Sequence, residues 1–271
     1  MDLLVRAFRY PEWDPGVVFA ARLAGQLRAG LTAMHVVEGS MPPVWDYDAG
    51  VLLAEYAAAI DEQVGLARSA GPLFEAWAES LGAVFPQWLV AQGHVGDALH
   101  YAANWHDLVV LARNDEDPWG NPAALASVAL HVGQPCLIVP AGHTELKLDC
   151  IAIAWNGSIE AIRAVHGALP LLRRAGRIVL LMGKRRTVLP PVPTPEFALE
   201  AWFRRHDLAV EFEMLEEDAD EGRPIHEAAR AAYADLLVMG AYGRSRFAER
   251  MLGGVTRYML QQNELPLLMR H

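Results

Sequence analysis

Three short segments of this chain return, in the same order, half a chain later. Arg28-Ala29-Gly30 recurs as Arg174-Ala175-Gly176, each time between an amphipathic stretch and an apolar run. His106-Asp107-Leu108-Val109-Val110 recurs as Ala234-Asp235-Leu236-Leu237-Val238, and Gln134-Pro135-Cys136-Leu137-Ile138 as Leu265-Pro266-Leu267-Leu268-Met269. The offsets of 146, 128 and 131 residues keep the order while the insertions differ. One such match is chance; three in order, in matching surroundings, point to duplication. The 271 residues are also about twice an ordinary domain. The polar stretch Ala141–Lys147 marks the boundary, so the expected domains are 1–143 and 144–271.

Within each half, short apolar runs alternate with segments of helical period. Asp107–Ala112 and Cys136–Pro140 read as buried strands of the first half, with a long helix expected over Gly50–Leu81. Leu148–Ala154, Asp235–Gly240 and Pro266–Met269 are their counterparts in the second. Such alternation implies α/β domains, each a parallel sheet with helices on both faces.

Composition removes several classes of function. Hydrophobic residues at 53% against 21% charged exclude a disordered chain. No apolar run approaches the roughly 18 residues of a membrane span, and Met1-Asp2-Leu3-Leu4 lacks the basic start of a secretory leader. Cys136 and Cys150 have no metal-ligand spacing and make no disulfide framework, which fits a reducing, cytoplasmic setting. Residues 1–143 hold six arginines, no lysine and sixteen acids, whereas the second half is balanced at seventeen of each sign. The whole net charge of −10 therefore lies in the first half, which argues against nucleic acid and anionic membranes. A phosphate-bearing ligand belongs with the second half.

The chemistry-bearing stretch follows Val238-Met239. Gly240 and Gly243 come directly after a buried strand, and Gly253-Gly254 precede a helix whose first turn holds Val255 and Thr256. Glycines let backbone N–H groups approach a phosphate, and a helix N-terminus favours the anion. The same glycines also fit plain turns and caps.

Gly240-x2-Gly243-x9-Gly253 resembles the nucleotide loop of the universal stress protein (UspA) family. Ala154-Trp155-Asn156-Gly157-Ser158 is similar to that family's first strand–loop–helix, and Glu264-Leu265-Pro266-Leu267-Leu268-Met269 to its last strand. The chain thus resembles a tandem universal stress protein. The resemblance implies two doubly wound α/β domains, each a five-stranded parallel sheet of order 3-2-1-4-5, and a homodimer. It also implies an adenine nucleotide, ATP or AMP with Mg, bound in a stress response without catalytic turnover. Carried over, Ala154, Trp155 and Asn156 border the adenosine, with the backbone of Met239 and Gly240 beneath it. Gly243, Arg244, Gly253, Gly254, Val255 and Thr256 line the phosphates.

Two departures weaken the match. Asn156 stands where the family often has an acid, and Gly254 where it has a small hydroxyl residue, leaving Thr256 as the nearby hydroxyl. A hydrogen bond to a charged group is worth roughly 1.5–3 kcal/mol. The first half departs further: Ala112 to Pro122 has lost the paired glycines, and Asp115, Glu116 and Asp117 repel phosphate. That half is expected to be a degenerate copy without nucleotide, its acids forming a solvated loop or, alternatively, a cation site.

Other signals are weaker. P-loop, nucleophile-elbow and zinc-helix motifs are absent from the sequence. His94, His100, His106 and His131 read as surface or capping residues, with no metal site expected, and Cys136 as an inert core thiol. Lys184-Arg185-Arg186 fits either a phosphate-attracting or a solvated loop. Trp45, Tyr47 and Tyr56 fit packing of the long helix. Two rivals to nucleotide binding remain: a nucleotide-free interaction scaffold, and slow ATP hydrolysis using Asp218 or Asp220.

Overall fold

The structure is a computed structural model that describes residues 1–39, 49–183, 198–216, 222–241, 254–262 and 264–271. It divides into two units: residues 1–134 with 141–145, and residues 135–140 with 146–271.

The first unit runs β1 (Asp2–Ala7), α1 (Pro15–Leu27), β2 (Gly30–Val37), α2 (Ala49–Ser69), α3 (Gly71–Ser80), β3 (Val84–Gln92), α4 (Val95–Ala103), β4 (Leu108–Ala112) and α5 (Pro122–His131). Its strands lie in the order β3-β2-β1-β4, all parallel. The second unit opens with β5 (Cys136–Val139) and β6 (Cys150–Trp155), then α6 (Ile159–Leu172), β7 (Arg177–Met182), α7 (Leu199–Arg205) and β8 (Glu211–Met214). It closes with α8 (Gly222–Ala231), β9 (Leu236–Gly240), α9 (Gly254–Gln262) and β10 (Leu267–Arg270). Here β8-β7-β6-β9-β10 is the expected parallel order 3-2-1-4-5.

β5 has a partner beyond the expected order. It lies in the second unit, antiparallel to β10, with Cys136 opposite Met269 and Ile138 opposite Leu267. Both strands are four residues long and almost wholly apolar, and the bare edge of such a strand is costly. Pairing them covers that edge. A correction concerns the expected long helix, which breaks into α2 and α3 at Ala70. Pro72 lacks an N–H and disfavours helix in the residue before it, so the chain restarts as a new helix there.

The repeated segments have a shared physical origin. A Cβ on Gly30 would come within 2.0 Å of Asp2 Oδ1, and one on Gly176 within 2.9 Å of the Asp149 carbonyl oxygen. Gly30 lets the chain pass the start of β1, and Gly176 the start of β6. The Gly30 and Gly176 N–H groups donate there to Met1 and Leu148 carbonyls at 3.0 and 2.8 Å. The repeated aspartates match as well: Asp107 Oδ2 accepts from the Asp2 N–H at 2.8 Å, and Asp235 Oδ2 from the Cys150 N–H at 2.9 Å. They pin β1 to β4 and β6 to β9.

β4 and β9 are buried on both faces, as parallel strands between helices must be. α6 buries Ala161, Ala164, Val165, Ala168, Leu171 and Leu172, a stripe at helical spacing that packs over β9 and β10. No described helix is long and apolar enough to cross a membrane.

Candidate functional site

In a parallel sheet, ligands lie beyond the carboxyl ends of the strands, where the winding direction reverses. In the second unit that point falls between β6 and β9, which pair Ala154 with Met239. β6 leads to half-buried Trp155, exposed Asn156 and Gly157, the last in the left-handed region at φ 73°. Asn156 Oδ1 accepts from the Ser158 N–H at 3.0 Å, and Ser158 Oγ caps α6 by accepting from the Ala161 N–H at 3.2 Å. The loop is a tight turn that feeds the helix.

Gly240 ends β9 against that helix start. A Cβ there would lie 2.5 Å from the Ala161 nitrogen and 2.7 Å from the Glu160 carbonyl carbon, both backbone atoms. Only glycine lets the two segments meet. Ala154, Trp155, Asn156, Met239 and Gly240 are therefore gathered at one edge by β6, β9 and the first turn of α6. Gly254 and Val255 open α9, where Gly254 is exposed, while Thr256 is buried at 2% and faces the core. Gly243, Arg244 and Gly253 lie outside the described residues, as do Lys184, Arg185, Arg186, Asp218, Asp220, Trp45 and Tyr47.

The sequence reading missed Arg270, which closes β10 opposite Gly240. Its Nε is buried with no hydrogen-bond partner among the described residues. Burial, and then the charge of Arg163, push its guanidinium below the ordinary value. The available signal was a lone cation after the apolar Leu267–Met269 run.

The first unit has the same crossing with its roles exchanged. Ala112 ends β4 where Gly240 ends β9, and the glycine sits instead on α1, where a Cβ at Gly16 would lie 2.3 Å from Ala112 Cβ. Asp14 caps α1 by accepting from the Val17 N–H at 3.1 Å, and its other oxygen takes the Phe8 N–H at 2.9 Å. The crevice is filled from within. Arg6, over the Phe8 ring, pairs with Asp117, whose Oδ1 also accepts from the Trp119 N–H at 2.9 Å. What remains is a cavity of about 20 Å³, room for little more than a water. This corrects the expected solvated acidic loop: Asp115 and Glu116 are 84% and 70% exposed, but Asp117 is 6% exposed and ion-paired.

The histidines do not converge. His100 bonds the His131 carbonyl, His106 bridges Ala102 and Thr32, and His94 stacks edge-on to Trp119. Among the described residues no group of three or more His, Cys, Asp or Glu side chains is placed to hold a metal. Tyr56 packs on Val37, Ile60 and Ala67 beneath α2.

Residues 149–271 match the sequence model of the universal stress protein family. Over these residues the chain is similar to that family. A curated universal stress protein of Synechocystis sp., Slr1230, is 24% identical over 183 residues, which cover 65% of this chain and 62% of that protein. The match therefore spans less than two thirds of that relative's length. Among solved structures, a universal stress protein from Archaeoglobus fulgidus superposes with a TM-score of 0.70 at 12% identity, over 99% of this chain and 96% of its own. A functionally unknown protein from Pseudomonas aeruginosa gives a TM-score of 0.56 at 13% identity, over 98% and 91%. At these identities the likeness is one of fold. The universal stress protein fold thus extends over the first unit, although the family's sequence pattern lies in the second.

Proposed function

We propose that the second unit binds an adenine nucleotide, ATP or AMP with Mg, at the carboxyl edge between β6 and β9, as a signal or structural ligand rather than a substrate for turnover. The observation that carries this reading is Gly240. Its missing side chain lets β9 and the capped start of α6 meet, leaving backbone at the switch point where phosphates are held in such sheets. The first unit does not share the ligand, because Asp117 and Arg6 fill its crevice. Two buried cysteines, Cys136 and Cys150, suit a cytoplasmic protein, and two chains pair as a homodimer in this reading.

One observation favours the nucleotide-free scaffold instead. Asn156, the weaker stand-in for an acid, already spends an acceptor on Ser158, and the Thr256 hydroxyl is buried. Thermal melts with Mg-ATP, AMP and GTP separate the two. Ligand at 100 times its dissociation constant stabilises by about 2.7 kcal/mol, or roughly 5–10 °C for a domain this size. The nucleotide reading expects a saturable rise with adenine nucleotides that Gly243→Trp abolishes. No shift at millimolar nucleotide, in protein shown to carry none from purification, leaves the scaffold.

A further inference from the structure

We propose that Arg270 and Arg163 form an oxyanion site that receives the phosphate end of the ligand at the β6–β9 edge; this rests on the nucleotide reading above. Contacts around the two residues place them together. Arg270 stands in register with Gly240, and Gly240 presses on Glu160 and Ala161 in the first turn of α6. Further along α6, a Cβ at Gly167 would lie 2.5 Å from Pro135 Cγ. Pro135 precedes Cys136, which pairs with Met269 beside Arg270. Arg163 is four residues before Gly167, hence on the same side of the helix and one turn closer to its start. That side of α6 therefore lies over the end of β10.

The backbone around Arg270 is fixed. The Ala241 N–H donates to the Arg270 carbonyl at 3.0 Å, and His271 Nδ1 donates to the Ala241 carbonyl at 3.2 Å. The Arg270 backbone is held beside the residue that follows Gly240, at the end of β9.

The charges there are not matched. Among the described residues no carboxylate pairs with Arg270 or Arg163, Glu160 included, and the Arg270 Nε–H is buried without an acceptor. A partly buried guanidinium next to a second one is relieved by an anion. Guanidinium forks bind phosphate oxygens in pairs, with a geometry that ammonium groups lack. The ligand class is a phosphate monoester or oligophosphate. The arginines select its charged end while the β6 loop meets the remainder.

Calorimetric titration of the full chain with ATP, adenosine and inorganic pyrophosphate tests this. Wild type, Arg270→Met, Arg270→Lys and Arg163→Met are compared; Arg163 is exposed, so its variant keeps the fold. Arg270→Met should weaken ATP and pyrophosphate about ten- to a hundredfold, the worth of a charged hydrogen bond, and leave adenosine unchanged. Arg270→Lys should fall between, and Arg163→Met should weaken the same two ligands. Arginine variants that bind ATP and pyrophosphate as wild type does overturn the inference while leaving the nucleotide reading intact. Pyrophosphate binding that depends on Arg270, with neither ATP nor adenosine bound preferentially, keeps the anion site and overturns the nucleotide reading.

Discussion

Replacing Asp117 by Asn tests whether the first unit's crevice is closed by an internal ion pair. The side chains of Arg6 and Asp117 are 13% and 6% exposed, so neither charge recovers full hydration when its partner is lost. Asn keeps an oxygen for the Trp119 N–H and nearly the same volume, so the change isolates the charge. Removing one member of a buried pair costs about 3–5 kcal/mol, because the other is left desolvated and unpaired. Among the described residues the Arg6 Nε already lacks a partner, so little compensation is at hand. With a shift of roughly 2–4 °C per kcal/mol for a chain of this size, the melting temperature should fall by about 6–20 °C. Urea unfolding followed by tryptophan fluorescence reports on this unit through Trp13, Trp77, Trp88 and Trp119. The double variant Arg6→Met/Asp117→Leu should recover most of the loss, since an apolar pair replaces a buried ionic one at little cost. A single-variant loss below about 0.5 kcal/mol, the range of ordinary surface changes, would refute the reasoning.

Two further outcomes follow from buried titratable groups. Burial, ahead of the opposing hydrogen bond to the Ala7 carbonyl, pushes the His35 imidazole down. Its neutral form is favoured in the fold, so the unfolded chain binds more protons just below the ordinary value of about 6.5. Stability should therefore fall as pH drops from about 7 towards 5, with urea midpoints flattening over that window in His35→Asn; parallel slopes in the two proteins would contradict this. Burial pushes the Cys136 thiol up to about 12. It should resist alkylation by iodoacetamide in the folded protein at pH 8 and react fully in guanidinium; comparable labelling rates in both states would count against a packed β5.

The repeat and the strand–helix alternation were legible because both are local. Apolar periods of two and 3.6 residues are written in adjacent positions; Pro72 is local too, yet the period ran through it and one helix was expected over Gly50–Leu81. What could not be read depends on distant pairing. Cys136-Leu137-Ile138-Val139 is apolar throughout and carries no alternation to choose between parallel and antiparallel neighbours. Arg6 and Asp117 are 111 residues apart, and the sequence marks the aspartate only as one of three consecutive acids. At the candidate site, Gly240 was legible as a glycine after a buried strand. Its reason, the backbone of Glu160 and Ala161 pressing from another element, was not. Arg270 stayed hidden because one cation at a strand end resembles any solvated terminus until the missing partner of its Nε is known.

The allegiance of β5 bears on how this protein can be cut. The chain crosses into the second unit at Pro135, leaves after Pro140 and returns at Leu146, so neither unit is a single uninterrupted stretch. No one cleavage, by protease or by choice of cloning boundary, releases both intact. A fragment starting at Leu146 retains the family's sequence pattern but surrenders the strand that covers β10. Its exposed, apolar edge is the kind that recruits a strand from another molecule. Excising the better-preserved half would therefore yield a self-associating species, whose oligomeric state would report on the cut and not on the native protein.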